Sequence, residues 1–326
     1  MSEVDVRLVI RDYDQISPLV TGDVVPSGIK IILDRTTPIS RFREDESFQA
    51  GEMSFAGYLR LLSSGDTSII GLPIFVFRGF RQRCFYVRRG SSIRSLSDLI
   101  GKRIGTNGWP DSGNTWSRAL LRAENVPLES IDWWVGTTDG ITDQKFGHQV
   151  AAPSGLRNVT KAPEGNTLQD MLLAEELDAL MIPWPPQSFY EFDAPVVRLL
   201  ADYRSAEQAY ARQVRFWPAH HLIGVRSTFV RDHPEVAPSL FEAFERSRIA
   251  HEQRCWMHAS ASPWQLTDVE QAVELLGPHW QANGIEPNRD MISAFSDELH
   301  AQGIIDQKIA PEDIFAEFQA IMNRVV

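Results

Sequence analysis

Cysteine is scarce in this chain: Cys84 and Cys255 are the only two among 326 residues. They show no metal-ligand spacing, and one unforced pair makes no disulfide framework, so neither a structural zinc nor a stapled scaffold is supported. A reducing compartment is the simpler expectation. Long apolar runs are missing as well. No segment approaches the roughly 20 apolar residues that a membrane span needs. The first residues, MSEVDVRLVIRDYD, pass from Met1 almost directly into an alternating strand pattern, without basic n-region, apolar leader or cleavage site. From this we expect a cytoplasmic protein, neither exported nor anchored. Positive charge is in deficit too: the formal net charge of −11 argues against non-specific nucleic-acid binding. Finally, there is no Walker-type loop, no GxGxxG and no GxSxG, so nucleotide binding and hydrolase triads have no support.

What is present is a chain long enough for two lobes, of ordinary composition at 43% hydrophobic and 23% charged. Val4 to Ile10 alternates as a strand and leaves through the polar exit Asp12-Tyr13-Asp14. Gly28 to Leu33 reads as a second strand. Ser47 to Leu62 has helical spacing of Phe48, Met53, Tyr58, Leu59 and Leu62. Further strands are expected at Arg103–Thr106, Ile131–Val135, Ala179–Pro183, Ala194–Ala201 and His220–Val225. Helices are expected after Asn107–Thr115 to about Glu124, over Thr167–Glu176, and then at Glu235–Met257, Thr267–Leu276, Arg289–Gln302 and Pro311–Met322. Alternation of strands and helices predicts an α/β fold with mainly parallel sheets. The expected layout is a discontinuous lobe of residues 1–88 plus 197–326, with residues 89–196 inserted as a second lobe and a ligand cleft between the two.

The segment from Leu72 to Gly105 is the richest in signal. Arg78, Arg81 and Arg83 interrupt two apolar strands, which is costly unless the planar guanidinium fork meets an anion. Strand alternation puts Arg81 and Arg83 on one face, and Arg81 is the favoured grip for a carboxylate, with Arg78 second. The loop Asn107 to Thr115, with Ser112, Asn114 and Thr115 before a helix, is a second candidate anion site, because helix N-termini offer free N–H donors. Its other reading is a capped helix. In Pro218–Val225 the adjacent His220 and His221 must point to opposite faces of a strand, which rules out a simple paired chelate. A strand histidine is often only a hydrogen-bonded structural residue. His251 and His258 share a helical face, but HEQRC lacks HExxH spacing, so a solvated face is expected there. Trp184, between prolines, reads as packing or as the lining of a cleft.

Several of these motifs together resemble the 4,5-dihydroxyphthalate decarboxylase-like family, which has the two-lobed type 2 periplasmic-binding-protein-like fold. The resemblance rests on Glu52-Met53-Ser54 with Tyr58-Leu59, Arg78-Gly79-Phe80-Arg81, Gly101-Lys-Arg-Ile-Gly105 with Trp116 and Arg118 downstream, and Pro218-x-x-His221-Leu222. It covers most of the chain. Two positions depart from it: Gln82 stands where the family tends to carry histidine, and His220 where it often carries asparagine. These changes put the native substrate in question.

The resemblance implies a carboxy-lyase acting on a hydroxylated aromatic acid. Such a reaction needs a carboxylate anchor, a proton donor and a group to hold the phenol. On this reading His221, Arg81 and Glu52 are catalytic; imidazole is apt because it titrates near neutrality. Arg78, Ser54, Asp12, Asn107, Ser112, Asn114, Thr115, Trp116, Arg118, Trp184 and His220 would contact or position substrate. No cofactor is required by the sequence, and a divalent metal held by His221 with a carboxylate stays open. The expected partner is a small aromatic or organic carboxylate, with no nucleic acid and no membrane. A homo-oligomer is compatible, though no interface is legible. The alternative is a non-catalytic binding protein for a small organic anion.

Overall fold

The described strands are short and aliphatic-rich, and in chain order they are β1 (Val4–Val9), β2 (Ile29–Asp34), β3 (Ala50–Ser54), β4 (Ile69–Arg78), β5 (Phe85–Arg88), β6 (Arg103–Thr106), β7 (Asp132–Val135), β8 (Val159–Lys161), β9 (Ala179–Met181), β10 (Val196–Arg198) and β11 (Ala219–Arg226). The computed structural model describes residues 3–146, 158–258 and 262–325. Two compact units emerge: Met1–Gly79 with Ala211–Val326, and Phe80–Tyr210. The first and last segments therefore share a unit, but the divisions fall at 79/80 and 210/211 rather than at 88/89 and 196/197. The reason is that β5 pairs with both β9 and β10, so strand Phe85–Arg88 lies inside the sheet of the second unit.

In the first unit the sheet order is β2-β1-β3-β11-β4. The pairs β1–β2 and β1–β3 are parallel, whereas β11 runs antiparallel to both its neighbours. One face carries Val6, Leu8, Ala50, Ile74, Val76 and Ile223 against Leu240 and Phe244 of the helix Val236–Met257. Each fully buried Val, Leu, Ile or Phe among these contributes roughly 1.5–3 kcal/mol. On the strand β4, alternation sends Phe75 elsewhere, into an aromatic cluster with Phe55, Phe295 and Phe315. The second unit has order β10-β5-β9-β6-β7-β8, parallel across β9-β6-β7-β8 and antiparallel at β5. Its core includes Tyr86, Leu168, Leu172, Leu180 and Val196. Both sheets are thus mixed and mostly parallel, as expected for an α/β chain. Among the described residues no helix is long and apolar enough to cross a membrane.

Several local expectations fail for identifiable reasons. Ser47–Leu62 is not one helix: Ala50–Ser54 is the central strand β3, and the helix is Phe55–Ser63. Glu52 and Met53 are buried on either face of a sheet interior, so the period of two is invisible in hydrophobicity. Gly51 suits this strand because its neighbour is Phe42; a Cβ there would come within 2.4 Å of the ring. Arg81 and Arg83 do not share a strand face, since β4 ends at Arg78 and Gln82–Cys84 is a turn of 3-10 helix. Ser112–Ala123 begins its helix at Ser112, capped by Asp111, so Ser112, Asn114 and Thr115 are its first turn and not the loop before it. Between Val135 and Thr167 a helix, Ile141–Phe146, and strand β8 occur where only loop is expected; residues 147–157 lie outside the described residues. The helix Tyr203–Val214 is an addition, and Pro311–Met322 is interrupted at Phe315.

Candidate active site

The first unit assembles a buried charged group at the junction of three strands. Glu52, on β3, has no solvent exposure. The exit of β1 covers it from one side: the Arg11 main-chain N–H donates to Oε2 at 2.9 Å, and the Tyr13 hydroxyl donates to Oε1 at 2.6 Å. The Arg11 guanidinium stands 3.7 Å from Oε1. From β11, His221 brings Nδ1 to 2.5 Å of the same Oε1. The His221 side chain retains 15% exposure. Burial alone would raise the Glu52 carboxyl, but the His221 hydrogen bond and charge, with Arg11, outweigh it and hold the group below the usual carboxylate range. Tyr13 is pushed in the opposite sense, upward, by burial and by the Glu52 charge. Its hydroxyl is therefore a fixed donor.

Aromatic contacts set the ring orientation. Phe77 stacks on Tyr13 at 5.9 Å and meets His221 edge-on at 5.4 Å. His221 lies opposite Ser54 in the β11–β3 register, and Ser54 caps the helix Phe55–Ser63 by accepting from the Gly57 N–H at 3.3 Å. His220 has a different role. It is buried, its Nε2 lies 3.0 Å from the Gly79 carbonyl, and it too meets Phe77 edge-on, at 4.9 Å. An irregular register between β11 and β4 on either side of His221 allows both rings to touch one phenyl, which a straight strand would not.

The second unit builds a separate polar group around Arg81. This buried side chain lies along the first turn of the helix Ser112–Ala123, donating from Nε to Ser117 Oγ at 3.1 Å and from Nη2 to Asn114 Oδ1 at 3.3 Å. The helix offers no side chain at Gly113, where a Cβ would stand 3.0 Å from the guanidinium. Asn114 is a node: its amide nitrogen donates to Asn107 Oδ1 and to the Gly108 carbonyl, while its main-chain N–H reaches Asp111. Thr115 donates to the Asp111 carbonyl, and Ser112 is buried beside them. Gln82 accepts from the Arg81 main-chain N–H at 3.2 Å, so the residue that departs from the family pattern supports the arginine's backbone.

Other expected site residues are held by partners of their own, and two of them, Arg78 and Asp12, line a cavity shared with Tyr13 and Phe77. Arg78 is buried and donates to the carbonyls of Trp217 and Ala282 and to Asn288 Oδ1, tying the end of β4 to the C-terminal half. Burial and the like charge of Arg248 lower its guanidinium. Arg118 is fully buried against the Trp109 ring at 4.1 Å and donates to the Trp109 carbonyl. Trp116 is buried, and Trp184 is half-buried just after β9. Asp12 is on the surface in an ion pair with Arg35. His251 is not on a solvated face: it is half-buried, 3.3 Å from Cys255, on the wall of a cavity of about 320 Å³ that also touches Tyr13, Phe77 and Arg78.

Residue reasoning missed Arg11, Tyr13, Phe77 and Ser117. Arg11 and Tyr13 sit at alternate positions of a polar strand exit, but nothing in the sequence singles them out as partners of Glu52, or Ser117 as a partner of Arg81. No group of three or more His, Cys, Asp or Glu side chains able to hold a metal ion occurs among the described residues. Glu52 already accepts from Arg11 and Tyr13 and faces His221 Nδ1, so a centre built on His221 with this carboxylate does not fit.

No family model matches the chain. It is 28% identical to a 4,5-dihydroxyphthalate decarboxylase of Comamonas testosteroni, across 97% of both chains. It is 29% identical to a protein of the same name from Pseudomonas putida, across 66% of this chain and 84% of that one. Among solved structures, the periplasmic aliphatic sulphonate binding protein SsuA of Escherichia coli superposes with a TM-score of 0.54 at 12% identity, covering 97% of this chain and 99% of the other. The periplasmic sulfonate-binding protein SsuA of Methylobacillus flagellatus gives 0.50 at 11% identity, over 100% and 96%. The chain thus has the periplasmic-binding-protein-like fold and, along nearly its whole length, resembles the 4,5-dihydroxyphthalate decarboxylases.

Proposed function

We propose that this protein is a carboxy-lyase that removes carbon dioxide from a hydroxylated aromatic carboxylic acid of the 4,5-dihydroxyphthalate kind. The observation that carries the reading is the Glu52–His221 contact, with Glu52 fully buried and His221 partly open. The relatives of the same name support the substrate class.

The reaction exchanges one ring substituent for a proton. A phenolic oxygen pushes electron density into the ring, the ipso carbon takes a proton, and the carbon–carboxyl bond breaks to give carbon dioxide while the ring regains aromaticity. His221 is the proton carrier. Glu52 holds Nδ1, which fixes the ring and stabilises the imidazolium, so Nε2 is the nitrogen that delivers. The delivered proton stays in the product, and the exposed edge of His221 lets water restore it. Arg81 is the anion holder: its acceptors Ser117 and Asn114 are neutral, so its charge is uncompensated by them, and the helix N-terminus beside it adds positive potential.

The test incubates purified protein with hydroxybenzoates and phthalates, 4,5-dihydroxyphthalate included, with and without divalent metal, and follows carbon dioxide release. His221→Ala is expected to lower turnover by about a hundredfold to ten-thousandfold, the usual worth of a positioned proton donor. A His221→Ala enzyme at the wild-type rate removes the assigned role. Binding without turnover across the whole panel replaces this reading with that of an anion-binding protein.

A further inference from the structure

The Tyr13 hydroxyl and His221 Nδ1 converge on a single oxygen, Glu52 Oε1, at 2.6 and 2.5 Å. The other oxygen, Oε2, is occupied by the Arg11 main-chain N–H. Two donors on one carboxylate oxygen compete for the same electron density. We propose that Tyr13 is a positioning residue that weakens Glu52 as a partner for His221, and so sets the pH at which His221 gains and loses its proton. The proposal deepens the decarboxylase reading and rests on it for its kinetic consequence, but not for its titration.

Three features of the geometry support it. First, Tyr13 meets Oε1 as a donor, because burial and the adjacent carboxylate keep its hydroxyl protonated. Second, its ring is fixed by stacking on Phe77, the same phenyl that lies edge-on to His221. The hydroxyl and the aromatic wall are therefore separable by substitution. Third, the charged surroundings of Glu52 are few. From the β1 exit come Arg11, at 3.7 Å, and Tyr13; from β11 comes His221, whereas His220 is turned to the Gly79 carbonyl. None of these others reaches Oε1 through a neutral hydroxyl, so Tyr13 is the one that can be deleted without changing formal charge.

The sign follows from hydrogen-bond energetics. A neutral donor to an ionised acceptor stabilises the anion. Removing the hydroxyl leaves Oε1 more basic, strengthens its hold on the Nδ1 proton and favours the imidazolium. The midpoint of the His221 titration should then rise by about one pH unit, the shift matching one such hydrogen bond.

The experiment follows the His221 ring protons by NMR against pH in wild type, Tyr13→Phe, Tyr13→Leu, Glu52→Gln and the Tyr13→Phe/Glu52→Gln double variant. Tyr13→Phe keeps the stacked ring and is expected to raise the midpoint by about one unit, and to move the pH–rate limb assigned to His221 upward by the same amount. Tyr13→Leu adds the loss of the aromatic wall, expected as broadened or displaced His221 resonances. In the Glu52→Gln background, Tyr13→Phe is expected to leave the midpoint where it was, because the carboxylate through which Tyr13 acts is gone. An unchanged midpoint in Tyr13→Phe overturns the proposal, as does an equal shift with and without Glu52. If Tyr13→Phe fails to fold, Tyr13 is a structural residue and the proposal falls. A shifted midpoint with no turnover of any acid retains Tyr13's effect on His221 and rejects the decarboxylase reading instead.

Discussion

Arg78 and Arg81 stand three positions apart in the sequence and make different sets of contacts. Arg78 closes the first unit, giving its donors to two main-chain carbonyls and one asparagine, all neutral and all part of the scaffold. Arg81 opens the second unit, lying over a glycine on the first turn of a helix with two short side chains as acceptors. Both are buried, and both lack a carboxylate among their hydrogen-bond partners. What separates them is the acceptor set: two main-chain carbonyls and a scaffold asparagine for Arg78, and two small polar side chains beside an N-terminal turn for Arg81, the setting that suits its proposed anion-holding role. Burial of an arginine does not by itself mark a site.

The largest effect that could break this contrast is expected at Arg78. Arg78→Met removes the donors to Trp217, Ala282 and Asn288 and should destabilise the fold by about 3–5 kcal/mol, read by chemical denaturation. Loss of stability below about 1 kcal/mol together with lost ligand affinity would place Arg78 with Arg81. Next in size, Arg81→Lys keeps the charge but loses the fork. It should raise KM by about tenfold to a hundredfold while the denaturation midpoint barely moves. A KM unchanged by this substitution removes Arg81 from the anion site. A smaller change is expected from Gly113→Ala, whose Cβ must push the guanidinium by a few tenths of an ångström. KM should rise about threefold to fivefold, because the crowded guanidinium at the helix end must give way, with turnover preserved.

The last comparison is by pH. Glu52 in the first unit has a native pKa below its ordinary 4.5. A group depressed in the native state contributes stability above its unfolded value, and that stability is lost as pH falls through the native one. The Arg81 acceptors Asn114 and Ser117 do not titrate. Acid should therefore loosen the strands around Glu52, while the Arg81 hydrogen bonds to Asn114 and Ser117 carry no titrating acceptor, an effect that hydrogen exchange below pH 4.5 follows. Glu52→Gln should flatten the acid dependence of the first unit; an unaltered profile shows that another carboxylate controls it.

How much of this was legible depended on whether the signal is local. The strand pattern of β1 could be read from alternation, because exposed and buried positions alternate along its first half. β3 could not. Glu52 and Met53 are both buried within a sheet, so hydrophobicity along the strand gives no period, and the run of Tyr58, Leu59 and Leu62 made the whole stretch read as helix. The choice of His221 over His220 came from family resemblance, and the structure brings His221 alone of the two onto Glu52. Tyr13 and Ser117 escaped because their roles are made by strands and helices distant in sequence: Tyr13 meets Glu52 across 39 positions and Arg81 meets Ser117 across 36. No local spacing encodes such contacts.

The placement of Glu52 in the middle of its sheet also bears on ionic strength. Mobile ions weaken charge pairs that they can surround, with a screening distance of about 10 Å at 0.1 M salt. The surface pair of Arg35 and Asp12 is open to that atmosphere, but the face of Glu52 that meets His221 is walled by β1, β11 and Tyr13. The same carboxylate charge therefore acts on the imidazole in dilute buffer and in brine. The proposed proton transfer at His221 should be nearly indifferent to salt, while the proposed capture of an anionic ligand at Arg81 should weaken with it.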